Sequence, residues 1–314
     1  MYYIIIFLKY FFIDVYPKGC ISKRILFLWY KSYTYLGDKM KKLLIIVLLL
    51  FSFFYTNKSI SIIRNQDPLM KEIIKNKSKF EIKSVNAIIK DNTIIPGIKG
   101  KEVDLEKTYT KMKQYGTYNE ALTVFKETKP TISIEDNYDK LITSGNKENK
   151  NIALIFKVEK NTNLDKLLSI LNYYNVQTTF FIDGLYIENN DLNNLSHHQI
   201  ELLSYNNTID EVTFSSALSY LSYKTNKTPK YCLEDNNNII KICKKLNLHT
   251  VSPTLIIKKD PYKEIKNNLK NSSIILIPIN NYIYNNLSTS ILYIKSKGYK
   301  FLTLSELLSE NLEK

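Results

Sequence analysis

Glycine and proline are scarce in this chain, at 8 each in 314 residues, and cysteine and histidine are scarcer still at 3 apiece. So little Gly and Pro beside heavy use of Lys, Asn, Ile and Tyr has the look of AT-rich coding. Much of the lysine is therefore read as compositional drift on solvated faces. The cysteines exclude a disulfide framework: beyond the N-terminal region only Cys232 and Cys243 remain, which could pair but staple nothing larger. Cys20 lies outside any recognised lipid-attachment context. The three histidines do not read as a metal site. His197 and His198 are adjacent on an expected helix, where neighbours point about 100° apart, so both are read as surface residues. His249 opens an expected strand and is read as a structural, hydrogen-bonded residue. No zinc finger, RNA-binding signature or Arg-rich stripe accompanies the net charge of +14, so nucleic acid is not expected as a partner. A basic balance then leaves anionic lipid or an acidic polymer such as a cell-wall glycan.

What is present is ordinary globular composition, 44% hydrophobic and 24% charged, enough for one large domain or two smaller ones. From Met40 the chain reads Met-Lys-Lys, an uncharged apolar run from Leu43 to Tyr55, and then Thr56-Asn57-Lys58-Ser59. A basic start and a short apolar run follow the pattern of an export signal. The run is short of the ~20 residues of a full span, and it lacks the polar face of a core helix. With no evident small-x-small cleavage site, residues 40–59 are expected to be a signal peptide or membrane anchor. Residues 1–39 then read as a mis-called upstream extension. Residues 60–150 read as a small α+β module and linker: two short strands around Asp91-Asn92, a helix over Val103–Tyr115, a strand over Leu122–Phe125, and a polar stretch from Gly145 to Lys150.

From Asn151 strands and helices alternate. Strands are expected at Ile152–Phe156, Val176–Ile182, Tyr231, His249–Val251, Ile274–Ile277 and Lys300–Leu302. Helices are expected at Leu164–Tyr174, Asp191–Ser204, Ser215–Tyr223, Asn238–Leu246, Tyr262–Leu269 and Leu287–Lys297, with a last one from Ser305. Such alternation predicts parallel strands with crossover helices, and function at the C-terminal strand ends.

Ile152-Ala153-Leu154-Ile155-Phe156, a helix, and then Tyr174-Asn175-Val176-Gln177-Thr178-Thr179-Phe180-Phe181-Ile182-Asp183-Gly184 resemble the opening of the polysaccharide deacetylase (NodB-homology) family. Ser272-Ser273-Ile274-Ile275-Leu276 and Ile294 to Leu308 resemble its close. The likeness covers about half the chain, as a degenerate member lacking the metal and catalytic motifs. It implies a distorted (β/α) barrel over 151–314, preceded by the small α+β module and the N-terminal apolar segment. The family uses a divalent metal such as zinc. Its base, arginine and general-acid positions fall here on Lys157, Leu233 and Pro278, and its metal-ligand positions on Val158, Tyr205 and Ile209. A lysine ammonium is no base at neutral pH, and valine ligates nothing. A metal-dependent deacetylase needs the ion to polarise the carbonyl and activate water, with a base and an acid to move protons.

The resemblance therefore implies no resident metal and no catalytic residues. Asp183, Tyr282 and Tyr284 remain as candidate glycan contacts, and Asp260 before Pro261 is read as a helix cap. The expected function is that of an exported, membrane-tethered, inactive deacetylase-like protein that binds or organises cell-wall polysaccharide, held to the membrane through Leu43 to Tyr55. The alternatives are an active metal-dependent deacetylase with a rebuilt site and a protein-interaction module.

Overall fold

The computed structural model describes residues 45–47, 49–50, 52–53, 64–146, 150–234 and 237–312. The proposed start at Met40 and the extension over 1–39 lie outside these residues. The chain divides into two compact units, Met1–Lys75 and Asn76–Lys314. In the first, the described residues of 45–53 are helical, and helix α1 (Pro68–Asn76) carries the chain one residue past the boundary. Among the described residues no helix is long and apolar enough to cross a membrane.

The second unit is a mixed α/β fold whose long sheets are largely parallel. Its strands in the middle segment are β1 (Ile88–Lys90), β2 (Thr93–Ile95), β3 (Gly100–Val103), β4 (Phe125–Thr128) and β5 (Leu141–Ile142), with helix α2 (Leu105–Lys113) between β3 and β4. Then follow β6 (Asn151–Val158), α3 (Asp165–Tyr173), β7 (Thr179–Ile182), α4 (Gly184–Asn189) and β8 (Gln199–Leu202). Next come α5 (Glu211–Thr225), β9 (Tyr231–Leu233), α6 (Asn237–Lys245), β10 (His249–Val251), β11 (Leu255–Ile256) and α7 (Pro261–Asn268). The chain closes with β12 (Ile274–Leu276), α8 (Asn281–Ser296), β13 (Lys300–Phe301) and α9 (Leu304–Leu307).

One sheet runs β11-β12-β6-β7-β8, with β13 paired to the start of β6; the other runs β1-β2-β5-β10-β9. Strand β5 pairs in parallel with both β2 and β10, so the sheet crosses the boundary expected at residue 150. The middle segment is part of the unit rather than a module before it. Two features underlie this. The edge of β10 needs a hydrogen-bonding partner, which Leu141-Ile142 supplies. The Glu310 carboxylate, only 6% exposed, accepts the backbone N–H groups of Gly97 and Ile134 and the Ser133 hydroxyl, tying the C-terminus to the middle segment.

Alternation along β6 divides the core in two. Leu154, Phe156 and Val158 face a layer shared with α3, α5 and α8. Ala153 and Ile155 face a second layer between the two sheets, with Ile94, Ile142, Phe181, Leu233 and Val251, into which Leu304, Leu307 and Leu308 pack. Each fully buried aliphatic or aromatic side chain here contributes about 1.5–3 kcal/mol.

The expected helix at Asp191–Ser204 is replaced by a 3₁₀ turn (Asn193–Leu195) and strand β8. Leu192, Leu195 and Leu202 mimic helical spacing, but Gln199-Ile200-Glu201-Leu202 alternates, and β7 offers an open edge. The expected strand Leu122–Phe125 lies instead at Phe125–Thr128. His197 is exposed as expected, whereas His198 is buried, receiving the Thr178 N–H on Nδ1. His249 stacks on Tyr138 with ring centroids 4.2 Å apart. Asp260 caps α7 by accepting from the Lys263 N–H. Cys232 and Cys243 form a disulfide joining β9 to α6, and both are fully buried.

Strands β8 and β9 end their respective sheets and do not pair. The Glu201 carboxylate bridges that seam: Oε2 accepts the N–H groups of Lys230 (2.7 Å) and Tyr231 (2.9 Å), and Oε1 accepts from Gln199. Burial pushes its pKa up to about 7, against the lowering effect of these donors.

Candidate functional site

A cleft of about 930 Å³ opens at the C-terminal ends of β6, β7 and β12, where parallel α/β folds place their ligands. Three pieces of chain build its wall.

The first is the loop from Glu159 to Asp165. It is pinned by the Glu159 N–H donating to Thr162 Oγ1 (2.9 Å) and the Asp165 N–H donating to Asn163 Oδ1 (2.8 Å). Asn161 and Asn163 line the cleft from it.

The second is the turn Tyr205–Thr208, whose central residues Asn206 and Asn207 lie in the left-handed region at φ 52° and 58°. Asparagine tolerates that conformation, which tight hairpin turns require at both positions. The turn aims two successive backbone N–H groups inward, and both reach one carboxylate. Asp183 Oδ1 accepts from Leu185 (3.0 Å) and Asn206 (3.2 Å); Oδ2 accepts from the Ser204 hydroxyl (2.6 Å) and Asn207 (3.2 Å). Asp183 also caps α4. Four donors use the acceptor capacity of a carboxylate.

The third piece runs from Ile279 to Tyr284. Asn280 caps α8 by accepting the Ile283 N–H (3.0 Å), and the Tyr284 hydroxyl donates to the Asn163 carbonyl (3.2 Å). Tyr284 is 8% exposed, and its burial raises its pKa. Lys166 sits 5.2 Å from its ring centroid.

The cleft wall therefore carries the amides of Asn161, Asn163, Asn206, Asn207, Asn280 and Asn281, charges of both signs, and little apolar surface. Side-chain amides both donate and accept, which suits a ligand rich in hydroxyl or acetamido groups.

Of the candidate glycan contacts, Asp183 and Tyr284 line the cleft, and Tyr282, 57% exposed, does not. The positions that the resemblance assigned to catalysis lie beside it. Val158 is fully buried in the layer under the helices, and Ile209 packs against that layer. The Tyr205 ring lies across Gly184, where a Cβ would fall 2.3 Å from its Cδ2. Its hydroxyl donates to Glu188 Oε1 (3.1 Å), which raises the Tyr205 pKa. Leu233 is buried between the sheets, and Pro278 is half-buried at the end of β12. Lys157 pairs with Phe181 across β6–β7 and, two residues beyond Ile155, shares the inner face.

These residues do not fit a divalent ion. Asp183, the one carboxylate among the positions singled out by sequence, is already satisfied by four N–H and O–H donors. Among the described residues no group of three or more His, Cys, Asp or Glu side chains stands ready to hold a metal. The sequence places the amides of Asn206-Asn207 and Asn280-Asn281 near strand ends, but gives no sign of the loop at 159–165 that joins them in one cleft. The visible signal was the density of asparagine after three of the strands, β6, β8 and β12.

No protein-family model matches the chain. Over 277 residues it is 28% identical to the uncharacterised protein YlxY of Bacillus subtilis (strain 168), covering 80% of this chain and 87% of that one. Among solved structures, wild-type BA3943 of Bacillus anthracis, a CE4 family pseudoenzyme, matches with a TM-score of 0.57 at 23% identity, covering 79% of this chain and 97% of that one. A BA3943 mutant with restored enzymatic activity matches at 0.58 and 23%, covering 79% and 100%. At these identities the likeness is one of fold: the chain has the polysaccharide deacetylase (CE4) fold that its sequence resembles, shared with a pseudoenzyme.

Proposed function

We propose that this chain is a non-catalytic member of the polysaccharide deacetylase family, exported and tethered to the membrane, that holds cell-wall glycan in the cleft at its strand ends. The two sheets are read as halves of a distorted barrel opened along the β8–β9 seam. One observation carries the reading: the positions expected to bind metal are occupied by packed apolar side chains and a tied-down tyrosine, while the amide-lined cleft beside them stays open. Fold survives the loss of a site, and a glycan needs no ion to be bound.

Export is supported by the Cys232–Cys243 disulfide, a bond favoured in oxidising compartments. Tethering is supported by the run from Leu43 to Tyr55, whose described residues Ile46, Leu49, Leu50 and Phe53 are each more than half exposed.

Two measurements on the full chain test the reading. Retention on insoluble wall glycan is expected, with no release of acetate from N-acetylated oligosaccharides in zinc. Tight stoichiometric zinc after desalting, together with metal-dependent acetate release, restores the active deacetylase. Absence of both retention and acetate release leaves the protein-interaction module.

A further inference from the structure

The opposite end of β6 has a different chemistry. From residue 265 to 305 the sequence holds five lysines, Lys266, Lys270, Lys295, Lys297 and Lys300, and no Asp or Glu. Drift alone spreads lysine among its counter-ions; here hydrogen bonds gather it at one place, where β6, β12 and β13 begin. The Lys300 N–H donates to the Lys150 carbonyl (2.9 Å), and Lys150 Nζ donates to the Lys297 carbonyl (3.3 Å). Lys295 Nζ donates to the Tyr174 carbonyl (2.6 Å), and the Tyr299 hydroxyl donates to Asn271, next to Lys270 (3.0 Å).

Lys150, Lys270, Lys295, Lys297 and Lys300 are all exposed. The ion pairs among the described residues lie elsewhere, on Lys77, Lys99, Lys107, Lys126, Lys140, Lys244 and Lys245. Glu306, the next carboxylate along the chain, accepts from the N–H and hydroxyl of Thr303 in a capping box. Beside the lysines stand two exposed lipophilic side chains: Tyr173 at the end of α3, 82% exposed and edge-on to Tyr174, and Leu292 on α8, 52% exposed and one turn before Lys295.

We propose that this surface docks on an anionic lipid bilayer. Each lysine near such a surface contributes about 1 kcal/mol, and tyrosine prefers the headgroup level. An apolar side chain interleaved with lysines favours a bilayer over a soluble polyanion, which offers leucine nothing. Docking of this surface does not depend on the glycan reading; what it adds to that reading is direction. The eight residues of β6 separate the lysines from the cleft by about 25 Å, so a bilayer under the lysines leaves the cleft facing away from the membrane.

The test is co-sedimentation of the full chain with vesicles of phosphatidylcholine alone or with about a third phosphatidylglycerol, at low and high salt. Wild type is expected to favour the anionic vesicles, a preference weakened by salt. Lys295→Gln/Lys297→Gln/Lys300→Gln is expected to reduce that preference about 10- to 100-fold. The corresponding triple Arg variant retains it, and Lys107→Gln/Lys111→Gln/Lys113→Gln, which removes the same charge from α2, leaves it intact. Equal binding to both vesicle types overturns the proposal, since the apolar N-terminal run alone would then carry it. So does an equal loss in the α2 variant, or binding to an anionic wall polymer without preference for anionic vesicles. Glycan retention, measured on the same variants, fails or holds separately.

Discussion

Asp183, just past the end of β7, and Glu201, on the neighbouring β8, are both carboxylates less than 3% exposed, and the fold uses them in opposite ways. Asp183 stands at an open cleft, where a turn with two left-handed asparagines brings backbone N–H groups to it and Ser204 completes the shell. Glu201 stands in a dry seam, where two N–H groups of the next strand and one amide are all it receives, and burial raises its pKa to about 7. One carboxylate shapes the wall of a cleft; the other substitutes for a missing strand pair.

The largest effect is expected from forcing the first region toward catalysis. Val158→Asp/Tyr205→His/Ile209→His places a carboxylate in an apolar layer and removes the Tyr205–Glu188 bond. Burying that charge costs several kcal/mol, so we expect loss of the cooperative thermal transition, with zinc giving no rescue. A zinc-dependent rise in Tm, with retained secondary structure by circular dichroism, would show that the ligand positions are still compatible with this fold.

Asp183→Ala comes next. It strands three backbone N–H groups and the Ser204 hydroxyl at the cleft wall, some of which water can reach, and we expect about 2–3 kcal/mol of destabilisation in urea titrations. Glycan retention is expected to fall more than tenfold. A variant that keeps full retention despite the lost stability removes the Asp183 turn from the binding surface.

Cys243→Ser is expected to cost about 2–3 kcal/mol, as opening an 11-residue loop does. Reducing agent should destabilise wild type by a similar amount and leave the variant unchanged. The sequence leaves the pairing of the two cysteines open and gives no sign of their burial between β9 and α6.

That difference runs through the whole reading. The strands at 151–158 and 179–182 were legible because they are continuous apolar runs, buried on both faces. Asp260 was legible as a cap because Pro261 follows it. Strand β8 was not, since three leucines at helical spacing outweighed four alternating residues. The membership of Leu141-Ile142 in the main sheet was hidden too, because a two-residue strand has no period and its partner lies more than a hundred residues away. The site divided likewise. The positions that the resemblance assigns to the metal could be named residue by residue as Val158, Tyr205 and Ile209, and the fold packs Val158 and Ile209 into its core layer. The cleft was not legible, because it depends on the φ angles of Asn206 and Asn207 and on three loops meeting.

The smallest expected effect lies in wild-type stability between pH 4.5 and 6.5, and it is small because two groups oppose each other. Burial lowers the His198 pKa to about 4, below its value near 6.5 in the unfolded chain. Acidification through this window therefore protonates the unfolded chain first and lowers stability. The raised pKa of Glu201 acts in the other direction: on acidification from pH 7 the folded chain takes up the proton first, and stability rises. Each group can contribute up to about 3 kcal/mol across the window, and wild type should change by much less than either. Glu201→Gln exposes the histidine, so stability measured by urea unfolding should fall as the pH is lowered from 6.5 to 4.5. His198→Asn exposes the glutamate, so stability should rise over the same interval. If both variants slope the same way, the seam at β8–β9 does not hold Glu201 dry, and the contrast with Asp183 fails.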